Sequence, residues 1–167
     1  MKKLGIACLI GSMIVLAGCS GMRPVANSAG ANVLGSSGVA PTYDSAATQQ
    51  QLVDLGLIQP FQDYWTAYSR RDWVERYRME EFQKPQEQQF YVAYHAPAWQ
   101  LLDLRVEGVD ASAAPERVRI NLRARFRNPD RPEQERTSVL QDLWAKREQG
   151  WLHVNSDPML NGLRAVK

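Results

Sequence analysis

Cysteine and histidine are scarce in this chain, with two of each in 167 residues. Both cysteines, Cys8 and Cys19, fall within the first 19 positions. Everything after Cys19 therefore lacks a disulfide framework, a thiolate metal site or a catalytic thiol, and stability must come from an ordinary hydrophobic core. His95 and His153 stand too far apart to suggest a metal site by ligand spacing. There is no Ser-His-Asp or Cys-His arrangement and no phosphate-cradling glycine loop, and nothing implies a cofactor. An excess of one charge sign is also missing. Twenty Lys and Arg oppose 18 Asp and Glu, so there is no reason to expect bulk attraction to nucleic acid. The apolar run Leu4 to Leu16 is shorter than the roughly 20 residues of a spanning helix, and Gly5, Gly11 and Ser12 interrupt it.

That run is informative in another way. Lys2 and Lys3 precede it, and Leu16-Ala17-Gly18-Cys19 closes it. A basic start, an apolar centre and a small-residue cleavage site predict a signal peptide over residues 1–18, against the alternatives of a membrane anchor or a chance apolar stretch. The closing four residues resemble the lipobox of bacterial lipoproteins. The resemblance implies a diacylglyceryl thioether on Cys19, with palmitate-type chains as the membrane contact. Two or more chains hold stably where one does not. Ser20, rather than Asp, after the cysteine implies sorting to the outer membrane, facing the periplasm. Loss of Lys2 and Lys3 with the signal leaves the remaining chain formally neutral.

From Cys19 to about Gln50 the chain is small and polar, with charges only at Arg23 and Asp44. Such a composition cannot offset ordering entropy, which predicts a flexible linker spanning on the order of 30 Å. Docking of Val39 to Tyr43 onto the following domain is the alternative. Residues 51–167 hold all five tryptophans and have the length of one domain.

Within it, Pro60 suits the start of a helix on which Phe61, Tyr64, Trp65 and Tyr68 share one face. Asp72 and Glu75 predict a capped second helix bearing Trp73, Val74 and Tyr77. The segment Gln86 to Tyr94 fits either helix or strand. Leu102, Leu104 and Val106 then alternate with charged residues. Next, Val118, Ile120, Leu122, Ala124 and Phe126 oppose Arg117, Arg119, Arg123, Arg125 and Arg127. Two further strands follow, at about Arg136–Arg147 and Trp151–Asn155. Helices followed by an antiparallel meander predict an α+β domain with the helices on one side of the sheet.

The pattern Tyr64-Trp65-x-x-Tyr68 with Arg71-Asp72 resembles the nuclear transport factor 2-like superfamily. So do the closing segments Leu140-Gln141-Asp142-Leu143-Trp144 and Gly150-Trp151-Leu152-His153-Val154. The resemblance spans roughly residues 58–155. It implies a cone in which a bent antiparallel sheet wraps the N-terminal helices, often around a pocket. Members use such pockets for isomerase, dehydratase or epoxide hydrolase chemistry, or use the pocket or outer sheet for protein contacts. A lipocalin-like or other small α+β fold is the alternative.

Three candidate sites follow. Asp142, flanked by Leu140 and Trp144 on one strand face, would be a carboxylate with a raised pKa, suited to moving protons. Tyr64, Tyr68 or His153 would then supply a hydrogen bond to developing charge; the plainer expectation is a structural Asp and a hydrogen-bonded core His. The arginine stripe suits an acidic envelope partner, unless Asp103, Glu107, Glu133 and Glu135 neutralise it. Trp65, Tyr68, Trp144 and Trp151 would line a pocket for an apolar or sugar-like ligand, or simply build the core. The reading preferred is a non-catalytic interaction or ligand-binding module in an envelope assembly. The alternatives are an acid/base enzyme using Asp142 and a carrier of an apolar small molecule.

Overall fold

The computed structural model describes residues 38–161. The signal peptide, Cys19 and the first part of the expected linker lie outside them. The element order is β1 (Thr42–Tyr43), α1 (Ala46–Asp54), α2 (Ile58–Arg70), α3 (Trp73–Arg78), β2 (Glu80–Glu81), α4 (Gln88–His95), β3 (Gln100–Asp110), β4 (Arg117–Arg127), β5 (Glu135–Arg147) and β6 (Gly150–Val154). The class is α+β, as the order of hydrophobic patterns predicts.

Residues 38–50 are ordered where a linker was expected. Gly38 lies against α2 so closely that a Cβ would come within 2.6 Å of Ser69 Oγ, and the Val39 N–H donates to that oxygen at 3.1 Å. Thr42 and Tyr43 pair with Arg105 and Val106. Ser45 accepts the Thr48 N–H at 3.1 Å and starts α1. The polar residues that suggested disorder are thus cap and edge residues. Gly56, at φ 65°, ends α1 in the left-handed conformation. There its N–H reaches Val53 O and the Leu57 N–H reaches Leu52 O, with both leucines fully buried.

Helix α2 buries Phe61, Tyr64 and Trp65, each contributing about 1.5–3 kcal/mol of apolar transfer. It begins at Ile58, two residues before Pro60, and closes on Arg71 at φ 60°. The Arg71 guanidinium donates to the carbonyls of Ala96 and Ala98, tying this turn to the end of α4. Asp72 caps α3 by accepting the Glu75 N–H at 3.0 Å, as its spacing predicts. The ambiguous segment is helical: α4 buries Tyr91 and ends before Pro97.

The sheet order is β1-β3-β4-β5-β6-β2. Strands β3 to β6 form the predicted antiparallel meander, but β1 and β2 add parallel at the two edges, so the sheet is mixed. Two residues are too few for alternation to be visible. A register shift between Leu101 and Asp103 also turns β3 over. Leu101, Leu104 and Val106 therefore face the core, and the expected Leu102 does not. On β4 the alternation holds throughout, with Val118, Ile120, Leu122, Ala124 and Phe126 buried against α1 and α2. A smaller cluster joins Trp73, Tyr91 and Leu160.

Candidate functional site

The inward face of β5 carries Leu140, Asp142 and Trp144, which pair with Leu122, Ile120 and Val118 of β4. Across the sheet, His153 of β6 lies opposite Trp144, and Glu80 of β2 lies opposite His153. Asp142 is thus the diagonal neighbour of His153, close enough for long side chains to meet. Helix α2 lays Tyr64, Trp65 and Tyr68 over this row.

The result is a buried, polar, largely saturated network. Glu80 Oε1 accepts from Tyr64 Oη at 2.8 Å and Tyr91 Oη at 2.9 Å, and lies 3.8 Å from Arg76 Nη2. Glu80 Oε2 meets His153 Nδ1 at 3.1 Å and accepts from Asn155 Nδ2 at 3.0 Å. On the other side of the imidazole, Nε2 stands 3.5 Å from Asp142 Oδ1. The second Asp142 oxygen accepts the Trp65 Nε1–H at 2.8 Å. Arg76 lies over the rings of Tyr64 at 4.5 Å and Tyr68 at 5.0 Å, and its Nη2 donates to Tyr64 Oη.

Electrostatics follow from these contacts. Burial alone would lower the His153 pKa, but hydrogen bonds and charge from Asp142 and Glu80 outweigh it and push it up to about 9. Burial would raise Glu80, yet His153, Arg76 and Tyr64 hold it down at about 2. At neutral pH the centre is an imidazolium held between two carboxylates, with a guanidinium nearby. Burial, with the Arg76 charge, lowers His95 to about 4. Burial likewise raises Tyr64 and Tyr91.

A cavity of about 470 Å³ opens onto this network. Tyr68, Phe126, Leu140 and Leu160 supply apolar wall, Arg76, Asp142 and His153 polar surface, and Gln141, Ser156 and Asp157 more exposed polar groups. Among the described residues, no group of three or more His, Cys, Asp or Glu side chains is arranged to hold a metal ion.

The structure therefore brings Asp142, His153, Tyr68 and Trp65 to one cavity. The expectation of an Asp142 isolated among apolar neighbours is not met, because the sheet diagonal and α2 deliver a histidine and an indole N–H to its two oxygens. Trp144 is fully buried and packs on Phe61, Tyr64 and His153 without lining the cavity. Trp151 is a core anchor elsewhere, donating to Leu55 O at 3.1 Å. The arginines occupy the opposite, outer face of the sheet. There Arg123 pairs with Glu107, Arg125 and Arg127 with Glu135, and Arg119 with Asp110 at 3.7 Å. Cross-strand neutralisation by Glu107 and Glu135 is as anticipated. No such pair involves Asp103 or Glu133 among the described residues, while Asp110 was not foreseen. Sequence reasoning missed Arg76, Glu80, Tyr91, His95 and Asn155. The i, i+4 spacing of Arg76 and Glu80 is the signal that could have found two of them.

No protein-family model matches the chain, and no curated protein matches it. Among solved structures, a SEC-C motif containing protein from Rhodopseudomonas palustris shows 16% identity and a TM-score of 0.48, covering 68% of this chain and 94% of its own. A sec-c motif containing protein from Psychrobacter arcticus shows 11% identity and a TM-score of 0.43, covering 72% and 71%. Likeness this distant bears on neither site nor activity.

Proposed function

We propose that the chain is an outer-membrane lipoprotein, lipidated at Cys19 and facing the periplasm, whose folded domain is a non-catalytic ligand-binding module of an envelope assembly. The lipobox-like segment supports the anchor. The arrangement of helices before, and packed against, a four-strand meander supports a nuclear transport factor 2-like cone. The observation that carries the binding role is the cavity of about 470 Å³ with aromatic wall and prearranged polar surface.

Binding is favoured over acid/base chemistry because the ionisable groups there are already committed to one another. Glu80 takes four hydrogen bonds, and Asp142 is held by Trp65 and faces an imidazolium. The mixed lining also suits a ligand with one polar end better than a wholly apolar cargo. On the outer face, paired arginines offer less unspent charge to an acidic partner than the bare stripe suggested.

The test is native mass spectrometry of the full chain extracted from membranes, with Leu140→Trp to fill the cavity. A small molecule retained by the wild type and absent from a folded Leu140→Trp protein supports the module. An Asp142→Asn variant that abolishes a turnover while binding persists would replace it with the enzyme reading. In-cell crosslinking of wild type against Cys19→Ala tests the assembly; one defined complex lost without the anchor is the expected result.

A further inference from the structure

We infer that the end of the cavity formed by Arg76, His95 and Tyr68 is a subsite for the carboxylate of a small organic acid, an inference that rests on the ligand-binding reading above. Arg76 is 8% exposed and lines the cavity, yet its Nε and Nη1 have no hydrogen-bond partner. Nε2 of His95, which lines the same cavity, is also unpartnered. The two guanidinium donors, and His95 Nε2 in the tautomer that carries its proton there, are shut off from bulk water, and a buried donor left unpaired costs about 1–3 kcal/mol. An acceptor oxygen in the cavity, toward which the guanidinium and the imidazole turn, removes that cost.

Glu80, Asp142 and Asp157 also line the cavity, but each is engaged: Glu80, 3.8 Å from Arg76, serves His153, Tyr64, Tyr91 and Asn155, Asp142 is held by Trp65 and faces His153, and Asp157 accepts from Tyr94. Two more guanidiniums flank Tyr68 one ring away. Arg136 lies 5.7 Å from the Phe126 ring, which is 5.9 Å from Tyr68. Arg71 lies 5.8 Å from the Trp73 ring, which is 5.3 Å from Tyr68. Among the described residues neither has a salt-bridge partner. The charges of Arg76, Arg136 and Arg71 all act on the Tyr68 hydroxyl. At the Arg76 end the free guanidinium donors favour an anion over a neutral group of the same shape. The rings of Tyr68 and Phe126 with Leu140 and Leu160 accommodate an apolar or aromatic body.

The experiment compares benzoate with benzamide, which share shape but not charge, by calorimetric titration of the full chain in detergent with protein-free micelles as blank. Benzoate is expected to bind at least tenfold tighter. His95→Phe, which keeps a ring against Trp73, and Arg136→Ala, at an exposed position, should each cut that ratio severalfold, with folding checked by circular dichroism. Arg76→Gln should abolish it if that variant folds; the other two keep the test decisive if it does not. Equal affinities, or a ratio unchanged in both His95→Phe and Arg136→Ala, overturn the carboxylate subsite while leaving a binding cavity intact. Binding of neither probe up to about 10 mM, a concentration that detects even millimolar affinities, overturns the subsite, while the ligand-binding reading is decided by the native mass spectrometry above.

Discussion

Raising the pH from 6 to 9.5 should destabilise this domain, and His153 is the reason. In the fold its pKa lies at about 9, against 6.5 for the free side chain. The folded state therefore binds the proton more tightly than the unfolded chain. The stabilisation is fully present below 6.5 and disappears as pH rises through 9. A displacement of this size corresponds to about 3 kcal/mol, of which about 2 kcal/mol is lost between pH 7 and 9. For a domain of roughly 120 residues, 3 kcal/mol translates into about 12 °C in Tm. Two assays check the reasoning. The chain has only two histidines, so two-dimensional NMR of the imidazole resonances, assigned with His153→Gln, reads the titration directly. Urea unfolding of wild type and His153→Gln at several pH values reads the energy. Below pH 9.5 most ordinary Tyr and Lys stay protonated, and the comparison with His153→Gln cancels the remainder. A His153 midpoint at or below 6.5, or a stability difference between the two proteins that does not change with pH, would refute the imidazolium bridge.

The same NMR titration should place His95 near 4. Because that value is depressed, stability should fall as pH drops from 6.5 towards 4, with a second loss between 4.5 and 2 as Glu80 takes up its proton. Glu80→Gln strands Arg76 and His153 and should cost about 3–5 kcal/mol in urea unfolding; a loss below 1 kcal/mol would show that the network is not held by charge. Arg123→Ala removes an exposed pair with Glu107 and should change stability by less than about 1 kcal/mol. Gly38→Ala pushes a methyl group to within 2.6 Å of Ser69 Oγ. It should release residues 38–43 from α2, seen as faster amide exchange at Val39 with little change in the core.

Periodicity made much of the fold legible. The helix face of Phe61, Tyr64, Trp65 and Tyr68, the Asp72 cap and the long alternation of β4 each express a local preference, so residue types at fixed spacing suffice to read them. The segment around Leu102 was misread because a bulge shifts the face by one residue without marking the sequence. β1 and β2 escaped notice because two residues have no period, and polar residues 38–50 looked unstructured although they cap and edge the domain. Asp142, His153, Tyr68 and Trp65 stood out as polar or aromatic residues on apolar faces, and they do share one cavity.

The centre of that cavity was not legible, because it depends on contacts between distant segments. Glu80, on a two-residue edge strand, comes beside His153, 73 positions later, only through the parallel pairing of β2 with β6. That pairing, like the register of β5 on β6 that sets Asp142 diagonal to His153, is a property of the assembled sheet. Together they turn Asp142 from an isolated carboxylate into the partner of an imidazolium. Local sequence alone determined the helices, the strand faces and the outward arginines, since each depends on neighbours a few residues apart. Tertiary structure decided which charges are buried, which are paired and which donors are left without a partner, since desolvation and Coulomb energy depend on distances that spacing along the chain does not encode.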